Sequence, residues 1–161
     1  MTPEAVTITF ERPDTADAVQ LITELEAYLT PLYPAESRHG LSIERLLAEG
    51  VAFFVLRAGG IAAGCAGIKL VDGKDEGENT YGEVKRMYVR PEFRGRGFAM
   101  RLLDQLELYA SAQHVGLLRL ETGVHQTEAI GLYERAGFHR IPPFGPYTND
   151  PLSMYFEKPL D

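Results

Sequence analysis

The stretch from Val89 to Ala110 constrains the fold most. A strand ends at Val89, a turn follows with Arg94-Gly95-Arg96-Gly97, and Ala99, Leu102, Leu103, Leu106 and Ala110 then recur at helical spacing. That period marks one buried helix face, and Arg101, Asp104 and Glu107 fall on the others. A strand that leads through a turn into such a helix belongs to folds that layer helices on a sheet.

The remaining elements fit that architecture. Residues 6–12 alternate with the period of a strand, and a helix runs from Pro13-Asp14 to about Leu29. Pro31 and Pro34 break it, and residues 32–40 read as a polar loop. A short helix follows, with Ser42 as N-cap and Gly50 as stop. Residues 51–57 and 61–71 are apolar runs joined by Ala58-Gly59-Gly60, a hairpin. The charged stretch from Asp72 to Asn79 is a loop before a strand at about 80–89. After the 99–110 helix, strand 117–122 precedes a helix carrying Ala129, Leu132, Tyr133 and Ala136 and stopped by Gly137. Strands at about 138–141 and 152–158 flank a proline-rich loop, 142–147. The predicted order is β-α-α-β-β-β-α-β-α-β-β. This is a mixed α/β (α+β) domain, with a mostly antiparallel sheet of six to seven strands flanked by about four helices.

At 161 residues the chain suits one domain, 1–161, with a sizeable core. No apolar run approaches the roughly 20 residues of a membrane span. Met1-Thr2-Pro3-Glu4 lacks signal-peptide character, so a cytoplasmic location is expected. The lone Cys65 lies in an apolar run and reads as a buried thiol, and the four histidines show no metal-ligand spacing, so no metal is expected. A formal net charge of −7 disfavours nucleic acid as partner. Lys85, Arg86, Arg90, Arg94, Arg96 and Arg101 nonetheless crowd one stretch, which suits a small polyanionic ligand.

The turn is where such a ligand belongs. Gly95 and Gly97 let successive backbone N–H groups approach phosphate oxygens, and the helix N-terminus adds its positive dipole end. The segment matches neither the G-x-G-x-x-G fingerprint nor the Gly-Lys-Ser/Thr loop. The spacing Arg94-x-x-Gly97-x-Ala99, preceded by a strand and Arg90-Pro91, resembles the R/Q-x-x-G-x-G/A acetyl-CoA loop of the GNAT superfamily of N-acetyltransferases. Gly82-Glu83-Val84 and Ala129-Ile-Gly-Leu-Tyr133-Glu-Arg-Ala-Gly137-Phe138 extend the likeness from about residue 51 to the C-terminus. Pro34-Ala35-Glu36-Ser37 and Leu120-Glu121-Thr122-Gly123 resemble a bacterial subgroup of small acetyltransferases.

The resemblance implies acetyl-CoA as acyl donor and direct transfer to a primary amine of a small molecule in a ternary complex. Such chemistry needs a neutral amine, stabilisation of the oxyanion and a proton for the departing thiolate. By position, the Met87 N–H polarises the thioester and Val89, beyond Tyr88, binds the pantetheine arm. Arg94, Gly95, Arg96, Gly97, Phe98 and Ala99 hold the pyrophosphate. Gln126 stands where many relatives carry an asparagine that touches the cofactor. Tyr133 is placed as the general acid, although it also belongs to its helix's apolar stripe. Glu83 is placed as the general base, and it equally suits a salt bridge with Lys85, Arg86 or Arg119. Glu121 is a second candidate base and His39 a third. The resemblance puts acceptor recognition on the loop after the first helix and on strands near the C-terminus, which supply Tyr33, Ser37, Arg38, His39, Arg86 and Tyr147. Arg86 is the candidate for an acceptor carboxylate. A sensor that binds acyl-CoA without turnover shares the same cofactor half, and the 152–158 strand, read as an edge, offers a homodimer contact.

Overall fold

The computed structural model describes residues 5–73 and 79–161. The readings for Met1 to Glu4, and for residues 74–78 of the charged loop, lie outside the described residues. The elements run β1 (Val6–Phe10), α1 (Ala16–Leu29), a 3-10 turn (Ala35–Ser37), α2 (Ile43–Ala48), β2 (Ala52–Ala58), β3 (Ile61–Val71), β4 (Tyr81–Val89) and a 3-10 turn (Pro91–Phe93). They continue as α3 (Phe98–Ala112), β5 (Leu117–Gly123), α4 (Thr127–Arg135), β6 (His139–Ile141) and β7 (Ser153–Pro159). The predicted order holds throughout, and the boundaries move by at most three residues. Ser42 does cap α2, accepting the Arg45 N–H at 3.2 Å.

Seven strands form one sheet in the order β1-β2-β3-β4-β5-β7-β6. All neighbours are antiparallel except β4 and β5. The strand period of two sorts β2 onto both faces. Phe53 and Val55 join Ala18, Leu21, Ile22 and Leu25 of α1 on one side. Phe54 and Leu56 join Leu102, Leu103 and Leu106 of α3 on the other, with Leu118, Leu120 and Phe156. Each fully buried Leu or Phe in these layers contributes about 1.5–3 kcal/mol.

The reading of 152–158 as an edge is corrected. β7 lies between β5 and β6, and the edges are β1 and β6. The last strand pairs with β5 over seven positions, Leu117↔Pro159 to Gly123↔Ser153, and with β6 at Tyr155, Phe156 and Glu157, so it lies inside the sheet.

Two features of β4 shape the site. It pairs with β5 only at Gly82↔Leu118 and Glu83↔Arg119, and among the described residues the two strands part beyond that point. On its other side, Cys65 faces Tyr88 while Gly67 faces Lys85, so Arg86 and Met87 together oppose Ala66. This is a β-bulge, and Arg86 adopts φ 55°, rare for a side chain of its size. The Cys65 thiol donates to the Arg86 carbonyl at 3.3 Å, and burial pushes that thiol's pKa up to about 12. Cys65 is therefore a protonated packing residue that ties down the bulge.

Candidate functional site

The parting of β4 from β5 opens a cleft between the C-terminal half of β4, the start of α3 and α4. One part is a groove of ≈ 500 Å³ lined by Met87, Tyr88, Val89, Phe93, Arg94, Gly95, Gly97, Phe98, Ala99 and residues 127–129, 132 and 135 of α4. Gly97 sits at φ 76°, ψ 13° and serves as N-cap of α3, and Gly95 is also left-handed at φ 80°. A Cβ on either would meet nothing within 4 Å. The backbone conformation, not crowding within the protein, is what demands glycine. The Arg94 Nε donates to the Val89 carbonyl at 3.0 Å and closes the turn. Arg96 is turned differently, its guanidinium 5.3 Å above the Phe93 ring.

Three of the six members of the basic cluster are held in ion pairs. Lys85 pairs with Glu83 at 2.9 Å, Arg86 with Glu26 at 2.9 Å and Arg90 with Glu24 at 2.8 Å. Arg94 remains at the groove mouth, and Arg135 joins it from α4. The anion-binding character of this groove is thus concentrated at the α3 N-terminus rather than spread along β4.

The second part is a smaller, polar pocket of ≈ 90 Å³ between the 33–40 loop, β4, β5 and Tyr147. It shares Leu25, Met87 and Gln126 with the groove, and Tyr133 lines it. Tyr33, Ser37, His39, Glu83, Arg86, Glu121 and Tyr147 all border it. Sequence positions more than a hundred residues apart therefore meet at one junction, where the bulge places Met87.

Within the pocket each polar group has its own environment. Glu83 and Lys85, two residues apart on one strand face, are 5% and 9% exposed. Tyr147 donates to Glu83 Oε2, and Lys85 Nζ donates to the Tyr147 hydroxyl at 2.9 Å. Of the two roles open to Glu83, the ion pair is formed. Arg86 Nε donates to the Leu41 carbonyl at 3.1 Å and its Nη2 reaches Glu26. That guanidinium anchors the 38–42 loop on α1 and the bulge. Glu121 accepts from Ser153 Oγ at 2.8 Å, and burial pushes its carboxyl up to about 7. Burial, with a smaller contribution from the Glu121 charge, raises the Tyr133 phenol. Its ring packs on Phe138 and Phe156, so it belongs to the core as well as to the pocket. Burial lowers the His39 imidazole, favouring its neutral form.

Tyr33 and Gln126 lock together. The Tyr33 hydroxyl donates to Gln126 Oε1 at 2.9 Å and accepts the His125 N–H at 3.0 Å, while Gln126 Oε1 also accepts the Gly123 N–H at 3.1 Å. Only glycine fits at 123, since a Cβ there would lie 2.1 Å from Tyr33 Cζ. Gly123→Ala is expected to displace the Tyr33 ring and cost about 1–3 kcal/mol by overpacking. Reversible thermal unfolding of the variant checks this.

Gly123 and Arg135 carry roles that sequence reasoning had not singled out, and Lys85 is the partner Glu83 takes among those open to it. The i, i+2 alternation of Glu83 and Lys85 signals a shared face. Nothing local signals Gly123, whose constraint comes from a tyrosine ninety residues away.

Comparison with known proteins agrees with this architecture. Residues 18–138 match the Acetyltransferase (GNAT) family. A protein of Azospirillum brasilense named IAA acetyltransferase is 46% identical over 96% of this chain and 98% of its own length. A chain of Klebsiella pneumoniae provisionally called an acyl-CoA N-acyltransferase superposes with TM-score 0.78 at 37% identity, covering 97% of this chain and 98% of that one. A PaiA N-acetyltransferase of Thermoplasma acidophilum, solved with coenzyme A, shares the fold at TM-score 0.73 and 18% identity, covering 96% and 99%. The chain is an acyltransferase by fold and lineage. It belongs to the acetyltransferase (GNAT) family.

Proposed function

We propose that the chain transfers an acetyl group from acetyl-CoA to the primary amine of a small molecule held in the polar pocket. The observation that carries this reading is the junction itself: a groove with an anion-binding turn and a separate polar pocket meet at Met87 and Gln126. The groove fits the donor. Its volume suits a ligand of cofactor size, and the left-handed glycines at the α3 N-terminus present backbone N–H groups to phosphate. Arg94 and Arg135 supply cationic side chains along it.

Bound acetyl-CoA supplies a thioester whose carbonyl carbon forms the new bond to nitrogen as the carbon–sulfur bond breaks. The chain's residues manage protons and charge around that exchange. The Met87 N–H polarises the carbonyl from the bulge. Glu121 takes a proton from the acceptor ammonium, because a carboxyl that titrates near neutrality is matched to an amine at pH 7–8. Tyr133, held protonated by burial, gives its proton to the sulfur, and the second proton that the nitrogen loses as the amide forms restores the phenol. Glu83, committed to Lys85 and Tyr147, orients the acceptor wall.

The Glu121 assignment carries a pH dependence. A base must be ionised, and Glu121 ionises as pH rises through about 7. kcat/KM is therefore expected to rise with unit slope below pH 7 and to bend there. Glu121→Gln should remove that bend, leaving the acceptor's own ionisation, and lower kcat about 10²-fold or more. A bend retained in Glu121→Gln would remove Glu121 from the role.

Release of CoA thiol, measured with acetyl-CoA over amino acids, polyamines, aminoglycosides and peptide N-termini, tests the activity. Thermal stabilisation by acetyl-CoA with no thiol release on any of them would favour the sensor.

A further inference from the structure

The acceptor pocket holds donors that the protein does not use. Among the described residues, two buried side-chain polar atoms have no hydrogen-bond partner, Arg38 Nε and His39 Nε2. They belong to successive residues, and both residues line this one pocket. Buried polar atoms are almost always paired, so two orphans side by side at a ligand cavity indicate partners that arrive with the ligand, the His39 nitrogen donating to an anion in its Nε2–H form.

The charges point to the sign of that ligand group. Glu26 offers one carboxylate to two guanidiniums, with Oε1 3.1 Å from Arg38 Nη1 and Oε2 2.9 Å from Arg86 Nη2. That corner keeps one positive charge in excess. Asp150, the carboxylate next to His39, stands 4.0 Å from Nε2, too far to bond. It is occupied by Ser37 and by the Leu152 N–H at 2.9 Å. Lys85 adds an ammonium with three N–H donors, two of them engaged by Glu83 and Tyr147. The pocket also contains Glu121, whose fixed partner is the neutral Ser153 hydroxyl.

We propose that the acceptor is a small amino acid, its carboxylate held by Arg38 and His39 beside Lys85 and its amine facing Glu121. This rests on the acetyl-transfer reading and names the substrate class for the same site. Arg86, the carboxylate ligand expected from sequence, is replaced in that role because its guanidinium is already shared between Glu26 and Leu41. The small volume of the pocket excludes bulky acceptors and suits a molecule with amine and carboxylate close together.

The test compares matched acceptors on the wild-type enzyme with saturating acetyl-CoA: glycine, alanine and serine against the corresponding amino-acid amides. Free thiol release and the mass of the product are read for each. The expected result is a kcat/KM at least tenfold higher for at least one amino acid than for its amide, the scale of a charge-assisted contact. Arg38→Met, which keeps the aliphatic stem, should bring that ratio close to one. Equal rates on acids and amides, with N-acetyl product formed, would overturn the amino-acid assignment and leave acetyl transfer standing, the orphaned donors then being served by water. A wild-type ratio that survives in a folded Arg38→Met would overturn the role of Arg38. Absence of N-acetyl product from every amine tried, with acetyl-CoA still stabilising the fold, would overturn both readings. Should Arg38→Met fail to fold, His39→Phe tests the same ratio from the neighbouring donor.

Discussion

Tyr133→Phe is expected to lower kcat by at least about 10²-fold while leaving acetyl-CoA affinity within a factor of three, the range of general-acid loss. The ring is held by Phe138 and Phe156, at centroid distances of 5.7 and 6.4 Å, and a phenylalanine keeps those contacts. Fold and groove should therefore survive, and only the proton is lost. Steady-state kinetics with a verified acceptor, paired with calorimetric binding of acetyl-CoA, separates the two effects. Turnover at the wild-type level would reduce Tyr133 to a core residue.

Gly97→Glu is expected to weaken acetyl-CoA binding by more than about 10²-fold. Two penalties add. A left-handed backbone at φ 76° costs a non-glycine residue about 1–2 kcal/mol, which biases the free turn away from the conformation that presents its N–H groups. A carboxylate at the α3 N-terminus then occupies the position that the dipole and N–H groups offer to phosphate. The open space around Gly97 means that the variant can fold, so lost binding reports on the ligand path and not on collapse. Calorimetry on the folded variant provides the measurement, and unchanged affinity would place the phosphates elsewhere.

The cofactor half was the legible half. Arg94 to Ala99 is a contiguous segment whose strand, turn and helix are all set by nearby residues, and the turn forms as the glycine spacing predicts. Local signals also placed Ser42 at the start of α2 and Cys65 in the core. The acceptor half is written across the chain. Lys85, Glu83 and Tyr147 become one network only because the loop between β6 and β7 folds back over β4. Arg86 looked available because its partner, Glu26, lies sixty residues earlier on another element. The edge assignment for the last strand failed for a related reason. β7 inserts between β5 and β6, and no property of its own sequence tells an interior partner from a rim.

The same long-range contacts explain why the bulge carries so much of the site. Met87 reaches the junction because Arg86 is held in a left-handed conformation by Glu26, the Leu41 carbonyl and the Cys65 thiol. Strain at a functional position is sustained by surrounding contacts that over-determine it. The 33–42 loop thus does two jobs. It closes the acceptor pocket, and through Leu41 it supports the strand geometry at the donor junction.

Stoichiometry separates acetyl transfer from binding of acetyl-CoA alone. With acetyl-CoA and an accepted amine, one free CoA thiol is expected for each N-acetylated product detected by mass spectrometry, with both slowed together in Tyr133→Phe. Thiol released without acetylated amine, or tight acetyl-CoA binding with neither product across the full acceptor panel, would contradict acetyl transfer to an amine.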